Sequence, residues 1–297
     1  MAGGSLVADL AEDASARQGV APLRQGVAPV TRLERTQGLG RVGFKCGQGT
    51  TVLGRLHQQG AARILLPRVH GGGAAEAVLI NTAGGLTGGD RLQWEVALDA
   101  ATAATVTTQA CEKIYRALGA EPARVETTLR VGPGATLAWL PQETILFDGG
   151  ALRRSLTVEL AGDARLLALE AVIFGRRAMG ERVRRASLLD DWTVRREGRL
   201  IFADRLRLAG PVAELLARPA IAAGGGAVAT IALFADEPER YLAPLRAVLP
   251  ANAGASAWDG KLLARIVAED GYGLRQALVS ALVLLNDGRP LPKIWAL

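Results

Sequence analysis

A chain of 297 residues with 49% hydrophobic content can bury a sizeable core, as two ordinary domains or one large β domain, which excludes a fibrous or wholly disordered protein. Thirty-five Lys and Arg stand against 29 Asp and Glu, a formal charge of +6 that suits acidic partners without selecting nucleic acid over an acidic protein surface, and aromatics at 4% leave few platforms for stacked bases. The two cysteines, Cys46 and Cys111, are far apart and outside any CxxC pattern, and there is neither a secretory leader nor an apolar run of bilayer length, so the chain reads as cytoplasmic, with no membrane association.

Residues 1–30 lack periodicity and carry a tandem copy, "RQGVAP" at Arg17–Pro22 and again at Arg24–Pro29, which reads as a disordered leader rather than a repeat domain. From Arg41 to Gly210 short alternating or β-branched runs such as "TTVLGRLH", "EAVLINTA", "RLQWEVAL", "ATLAWLP" and "ARLLALEAVIFG" are punctuated by Gly, Pro or Asp, the pattern of strands. Ala104, Ala135 and Ala164 follow small-residue turns at intervals of 31 and 29 residues, which suggests stacked β-arches or a short solenoid; chance recurrence in an Ala-rich chain is the competing reading. The last third reads β-α-β-α: "GGAVATIALFAD" a strand, "EPERYLAPLRAVLP" a helix with Pro238 near its first turn, "GKLLARIVAED" a strand, and "GLRQALVSALVLLN" a helix stopped by Asn286, Asp287 and Gly288. Trp295 is expected to anchor the tail. The expected fold is therefore mainly β: a large body (31–210) of stacked sheets or solenoid-like arches, with a smaller C-terminal α+β part (211–297) packed on it as one continuous unit.

The densest glycine stretch, "NTAGGLTGGDRLQWEV" from Asn81 to Val96, invites a phosphate cradle. A P-loop needs Lys and Ser or Thr opening a helix, whereas here Asp90 and an alternating strand follow, and a dinucleotide fingerprint fails for want of the same helix. The stretch reads as a strand-turn-strand connection. Two histidines, His57 and His70, and two lone cysteines form no soft-ligand cluster. Carboxylates are more plentiful: Asp90, Glu112, Glu143, Asp148, Glu170 and Glu181 lie beside glycines or within apolar strands. Each alone is first read as a solvated or salt-bridged acid, and Glu170, inside "LLALEAVIFG", most needs a partner or a wet cavity. The run "GRRAMGERVRRA" holds Arg176, Arg177, Arg182, Arg184 and Arg185, either a solvated hairpin or a surface for acidic groups.

Six segments in order, "LINTAGGLTGGDRL", "TTQACEKIYRA", "WLPQETILFDGG", "EAVIFGRRAMGE", "DDWTVRREGRLIFADRLRL" and "RPLPKIW", resemble the signature blocks of the urease accessory protein UreD (UreH) family, a match running from about Thr31 to the C-terminus. The resemblance implies a non-enzymatic maturation factor, a mainly β protein that joins UreF and the GTPase UreG and docks on apo-urease. It further implies a water-filled internal route for nickel, with no tightly bound cofactor. A conduit must release its ion, and hydrated carboxylates suit this better than Cys or His. On that implication Asp90 and Glu170, with Glu143 and Asp148 behind them, are the candidates for the route, and the arginine run for a partner surface. A carboxylate-based enzyme and a basic nucleic-acid binder remain as alternatives, the latter requiring steeply salt-dependent affinity.

Overall fold

The structure is a computed structural model that describes residues 34–68, 74–176 and 179–296. The chain divides into two compact units, Met1–Glu34, described only at Glu34, and Arg35–Leu297, which carries every strand and helix named below. The expected leader over 1–30, His70 and Arg177 lie outside the described residues.

The second unit opens with two antiparallel pairs, β1 (Gln37–Gly47) with β2 (Thr50–Gly60) and β3 (Ala62–Leu65) with β4 (Ala75–Asn81). It then winds between two sheets. β5 (Arg91–Leu98) lies in the first, β6 (Ala103–Thr108) and the short β7 (Glu112–Ile114) in the second. β8 (Ala123–Val131) returns to the first, and β9 (Thr136–Leu140) and β10 (Thr144–Leu146) to the second. β11 (Ala151–Leu160), β12 (Arg165–Phe174) and β13 (Ala186–Arg196) continue the alternation, and β14 (Arg199–Gly210) turns back on β13 as a hairpin. After α1 (Val212–Ala217) come β15 (Ala227–Phe234), α2 (Leu242–Val248), the hairpin of β16 (Ala253–Trp258) with β17 (Lys261–Ala268), and α3 (Gly271–Leu285).

The first sheet has the order β14-β13-β11-β8-β5-β1-β2 and the second β16-β17-β15-β12-β9-β6-β4-β3, with β10 pairing with β12 and β7 with β10 beside this path. Successive coils stack in parallel, β5 on β8 on β11 on β13 and β6 on β9 on β12, so the expected mainly β, solenoid-like stacking of sheets is what the chain builds. The alanine period needs one correction. Ala103 pairs with Thr136 and Thr136 with Arg165, so Ala104 sits beside Leu137, while the position in line with Ala135 and Ala164 is Thr102. The turns recur, but the first alanine falls two positions beyond the stacked column.

Two cores arise from period-2 alternation in β12. Leu166, Ala168, Val172 and Phe174 face the first sheet, whereas Leu167, Leu169 and Ala171 face the helical layer. That layer is held by α3, whose Leu274, Leu278, Ala281, Leu282 and Leu285 form a buried stripe at helical spacing, and whose first turn is capped by Asp270 accepting from Gly273 N at 2.8 Å. Trp295 anchors the tail as expected, buried and donating from Nε1 to the Leu140 carbonyl at 3.1 Å. β16 escapes sequence reading because "AGASAW" has little apolar patterning, although Asp259 and Gly260, both at positive φ, supply the hairpin turn beside it.

Candidate functional site

Glu170 is on the inward parity of β12, at the position where an alternating apolar strand would bury another aliphatic side chain. The same parity in β11 (Leu152, Arg154, Leu156, Val158) and in β13 (Leu188, Asp190, Trp192, Val194) buries an arginine and a second acid. Arg154 and Asp190 are direct partners in the parallel register, so backbone pairing alone brings them side by side.

The result is an ionic layer inside the sandwich. Arg154 donates from Nε and Nη2 to the two oxygens of Asp190 at 3.1 and 2.6 Å, and its Nη1 lies 2.5 Å from Glu170 Oε2 and 3.1 Å from Thr144 Oγ1. Trp139 Nε1 donates to the other oxygen of Glu170 at 3.2 Å. Every nitrogen of the guanidinium therefore has a partner, as a buried charge requires. Burial raises the Glu170 carboxyl pKa, an effect that the Arg154 charge opposes and Asp190 reinforces. Burial also opposes the Arg154 charge, but Asp190 and Glu170 outweigh it and hold the guanidinium protonated more firmly than usual.

Two cavities adjoin this layer, and a third adjoins the smaller of them. One of about 110 Å³ and one of about 40 Å³ share Arg154 and Glu170 in their walls, and the smaller shares Trp94, Thr108 and Glu112 with a third of about 150 Å³. Even the smallest exceeds the roughly 10–15 Å³ that one water needs. Gln142 is in the wall of the smallest cavity, and its buried Nε2 has no hydrogen-bond partner. Glu112 stands where two cavities meet, its carboxylate accepting from Asn81 Nδ2 at 3.1 and 3.2 Å, and burial pushes its pKa up to about 7 against that hydrogen bond. A larger groove of about 970 Å³ runs beside Thr50, Glu76 and Lys293 and shares no wall residue with the ionic layer.

The other sequence candidates are placed differently. Asp90 is buried, but both its oxygens are engaged: Oδ2 accepts from Thr87 N at 2.7 Å and Oδ1 from Thr36 N at 2.8 Å. It closes the glycine turn between β4 and β5 and lines none of the three cavities. In that turn Gly85, at φ 153°, leaves no room for a Cβ, which would meet the Tyr115 ring at 2.4 Å. Glu143 is buried against Arg275 Nε at 3.5 Å and accepts from Cys111 Sγ at 3.5 Å; burial, then Glu143, push the thiol up to about 11, so Cys111 stays protonated. Asp148 accepts from Arg184 N and Arg185 N at 2.8 and 3.0 Å and pairs with Arg116, and the Arg185 amide leads in holding its carboxyl below the usual range. Arg176 pairs with Glu181 at 3.2 Å and lies over the Phe147 ring, while Arg182, Arg184 and Arg185 are exposed.

Sequence reasoning singled out Glu170 and missed Arg154, Asp190, Thr144, Trp139 and Gln142. The signal was present in parity, because Arg154 and Asp190 both interrupt an inward apolar series. Among the described residues, no group of three or more His, Cys, Asp or Glu is placed to hold a metal ion, and no helix is long and apolar enough to cross a membrane.

The family model described as UreD urease accessory protein matches residues 36–296. The urease accessory protein UreD of Rhizobium leguminosarum bv. viciae is 49% identical over 272 residues, covering 91% of this chain and 99% of its own length. That of Mesorhizobium japonicum is 49% identical over 268 residues, 89% of this chain and 95% of its own, and UreD 1 of Brucella abortus is 46% identical over 269 residues, again 89% and 95%. The chain belongs to the UreD family of urease accessory proteins and is a component of urease maturation.

Proposed function

We propose that the protein is a cytoplasmic, non-enzymatic maturation factor that links UreF and UreG to apo-urease and passes nickel through the space between its two sheets, without retaining it as a cofactor. The observation that carries this reading is the ionic layer, in which a buried inward glutamate lies in the wall shared by two cavities and a buried aspartate lines the larger of them. A globular protein does not place such groups in its core without cost, and all-oxygen donors release a divalent ion readily. Glu112, at the junction with the third cavity, extends the same chemistry along the sandwich. The exposed arginines Arg182, Arg184 and Arg185, the last two with their amides held by Asp148, offer a surface to an acidic partner.

The test is co-expression of urease with its accessory proteins, with and without this chain, reading nickel content and activity. Omission is expected to leave urease largely nickel-free, and Glu170→Ala to lower loading at limiting nickel while the accessory complex still assembles. Full nickel loading without the chain would defeat the reading, and full loading with Glu170→Ala would remove Glu170 from the route.

A further inference from the structure

The ionic layer contains its own cation, and its geometry goes beyond lining a route. Arg154 lies in the wall common to two cavities and spends Nε and Nη2 on Asp190 and Nη1 on Glu170 and Thr144. The two acids are not held alike. Asp190 is gripped by a two-point fork, whereas Glu170 takes one arginine nitrogen and one indole N–H. Arg265, also on the wall of the larger cavity, is paired with Asp204 at 2.6 Å and does not compete for the layer. On the other side, Gln142, whose buried Nε2 has no partner, is in the wall of the smaller cavity, which offers a spare donor to something that accepts a hydrogen bond, such as water or the oxygen-rich shell of a hydrated ion.

Resting on the conduit reading above, we propose that Arg154 is a displaceable internal gate: its guanidinium sits where a divalent cation would contact Glu170 and Asp190, and it pivots on the Asp190 fork to yield Glu170 first. A resident guanidinium offsets one of the two carboxylate charges while the site is idle, which lowers the cost of keeping the acids in the core. An entering divalent ion competes for Glu170 with twice the charge, and the returning guanidinium then expels it. The ion is thus held only in passing, a property that two unguarded carboxylates would lack.

Equilibrium dialysis of the full chain against Ni²⁺ tests this. Arg154→Gln removes the resident cation and is expected to bind Ni²⁺ at least about tenfold more tightly than the unaltered chain, a gain abolished in Arg154→Gln/Glu170→Gln. It should also lower urease activation at limiting nickel, with recovery when nickel is raised, a dependence that a merely structural arginine would not produce. Arg154→Lys keeps the charge in the core but lacks the fork, so it should fold and show a smaller gain of several-fold. Unchanged Ni²⁺ affinity in Arg154→Lys and in any folded Arg154→Gln overturns the gate. If Glu170→Gln still activates urease fully, Glu170 is off the route and the gate falls with it, whereas the conduit reading falls only on full loading without the chain; if Glu170→Gln is impaired and the arginine variants gain no affinity, only the gate falls.

Discussion

Arg154 and Asp190 face each other across adjacent parallel strands, with two hydrogen bonds of 3.1 and 2.6 Å joining one guanidinium to one carboxylate, both nearly excluded from solvent. Removing one partner strands the other in the core, so Asp190→Ala is expected to cost about 3–5 kcal/mol of unfolding free energy. Glu170→Gln should cost distinctly less, because Arg154 keeps its Asp190 fork and Thr144, and burial already favours the uncharged form of Glu170. Urea unfolding of the two variants decides it. Equal losses would mean that the three groups act as one unit rather than as a fork with a looser third member.

Asp90 carries a different expectation, since its two oxygens satisfy the backbone amides of Thr87 and Thr36. Asp90→Ala leaves two donors without that acceptor, a loss on the order of 1–3 kcal/mol for each that stays buried. Asp90→Asn should recover part of it through its remaining carbonyl oxygen. Urease activation is expected to fall only as far as the amount of folded protein falls. A stable Asp90→Ala protein that fails to load nickel would show that this acid does more than hold the turn.

Much of the fold could be read from the chain because its strands alternate cleanly between glycine- and proline-marked turns, and the helix over Gly271–Leu285 has both a stripe and a stop. The site was half legible for a physical reason. Glu170 was conspicuous because both its neighbours and next-neighbours are apolar, whereas Arg154 follows Arg153 and Asp190 precedes Asp191, and only strand parity tells which of each pair turns inward. Asp90 is a route candidate through the resemblance of its block, and its local sequence, a lone acid after glycines, does not reveal the backbone amides around it. The amides that consume it come partly from Thr36, distant in sequence and adjacent only after β1 aligns with β5.

Glu112 should make stability depend on pH. Its folded pKa, raised by burial to about 7 from 4.5, exceeds the unfolded value, so the native state binds the extra proton between those two pH values. By linkage, this group's contribution is largest below the unfolded value and declines as pH rises through about 7, by at most roughly 3 kcal/mol. Glu170, raised in the same direction, adds to the slope. Unfolding curves at pH 5 and pH 8 should therefore differ more for the unaltered protein than for Glu112→Gln. A pH dependence identical in the two would mean that water or the Asn81 amide stabilises the Glu112 anion fully.

The arginine loop rests on Asp148, which accepts from two consecutive amides, Arg184 N and Arg185 N, and pairs with Arg116, while Glu181 ties the Asp148 amide back at 3.4 Å. These contacts lie at the rim of the β body rather than in either core, so breaking them should free the loop without melting the sheets. Asp148→Ala is expected to speed tryptic cleavage after Arg182, Arg184 or Arg185 by about tenfold, through a larger locally open population, with little change in the melting temperature. Asp148→Asn, whose carbonyl oxygen can still accept from the loop amides, should fall between the two. A global loss of stability in Asp148→Ala would show that the loop is an integral part of the sandwich, and unchanged cleavage would show that Val183, buried in the first core, holds the segment by itself.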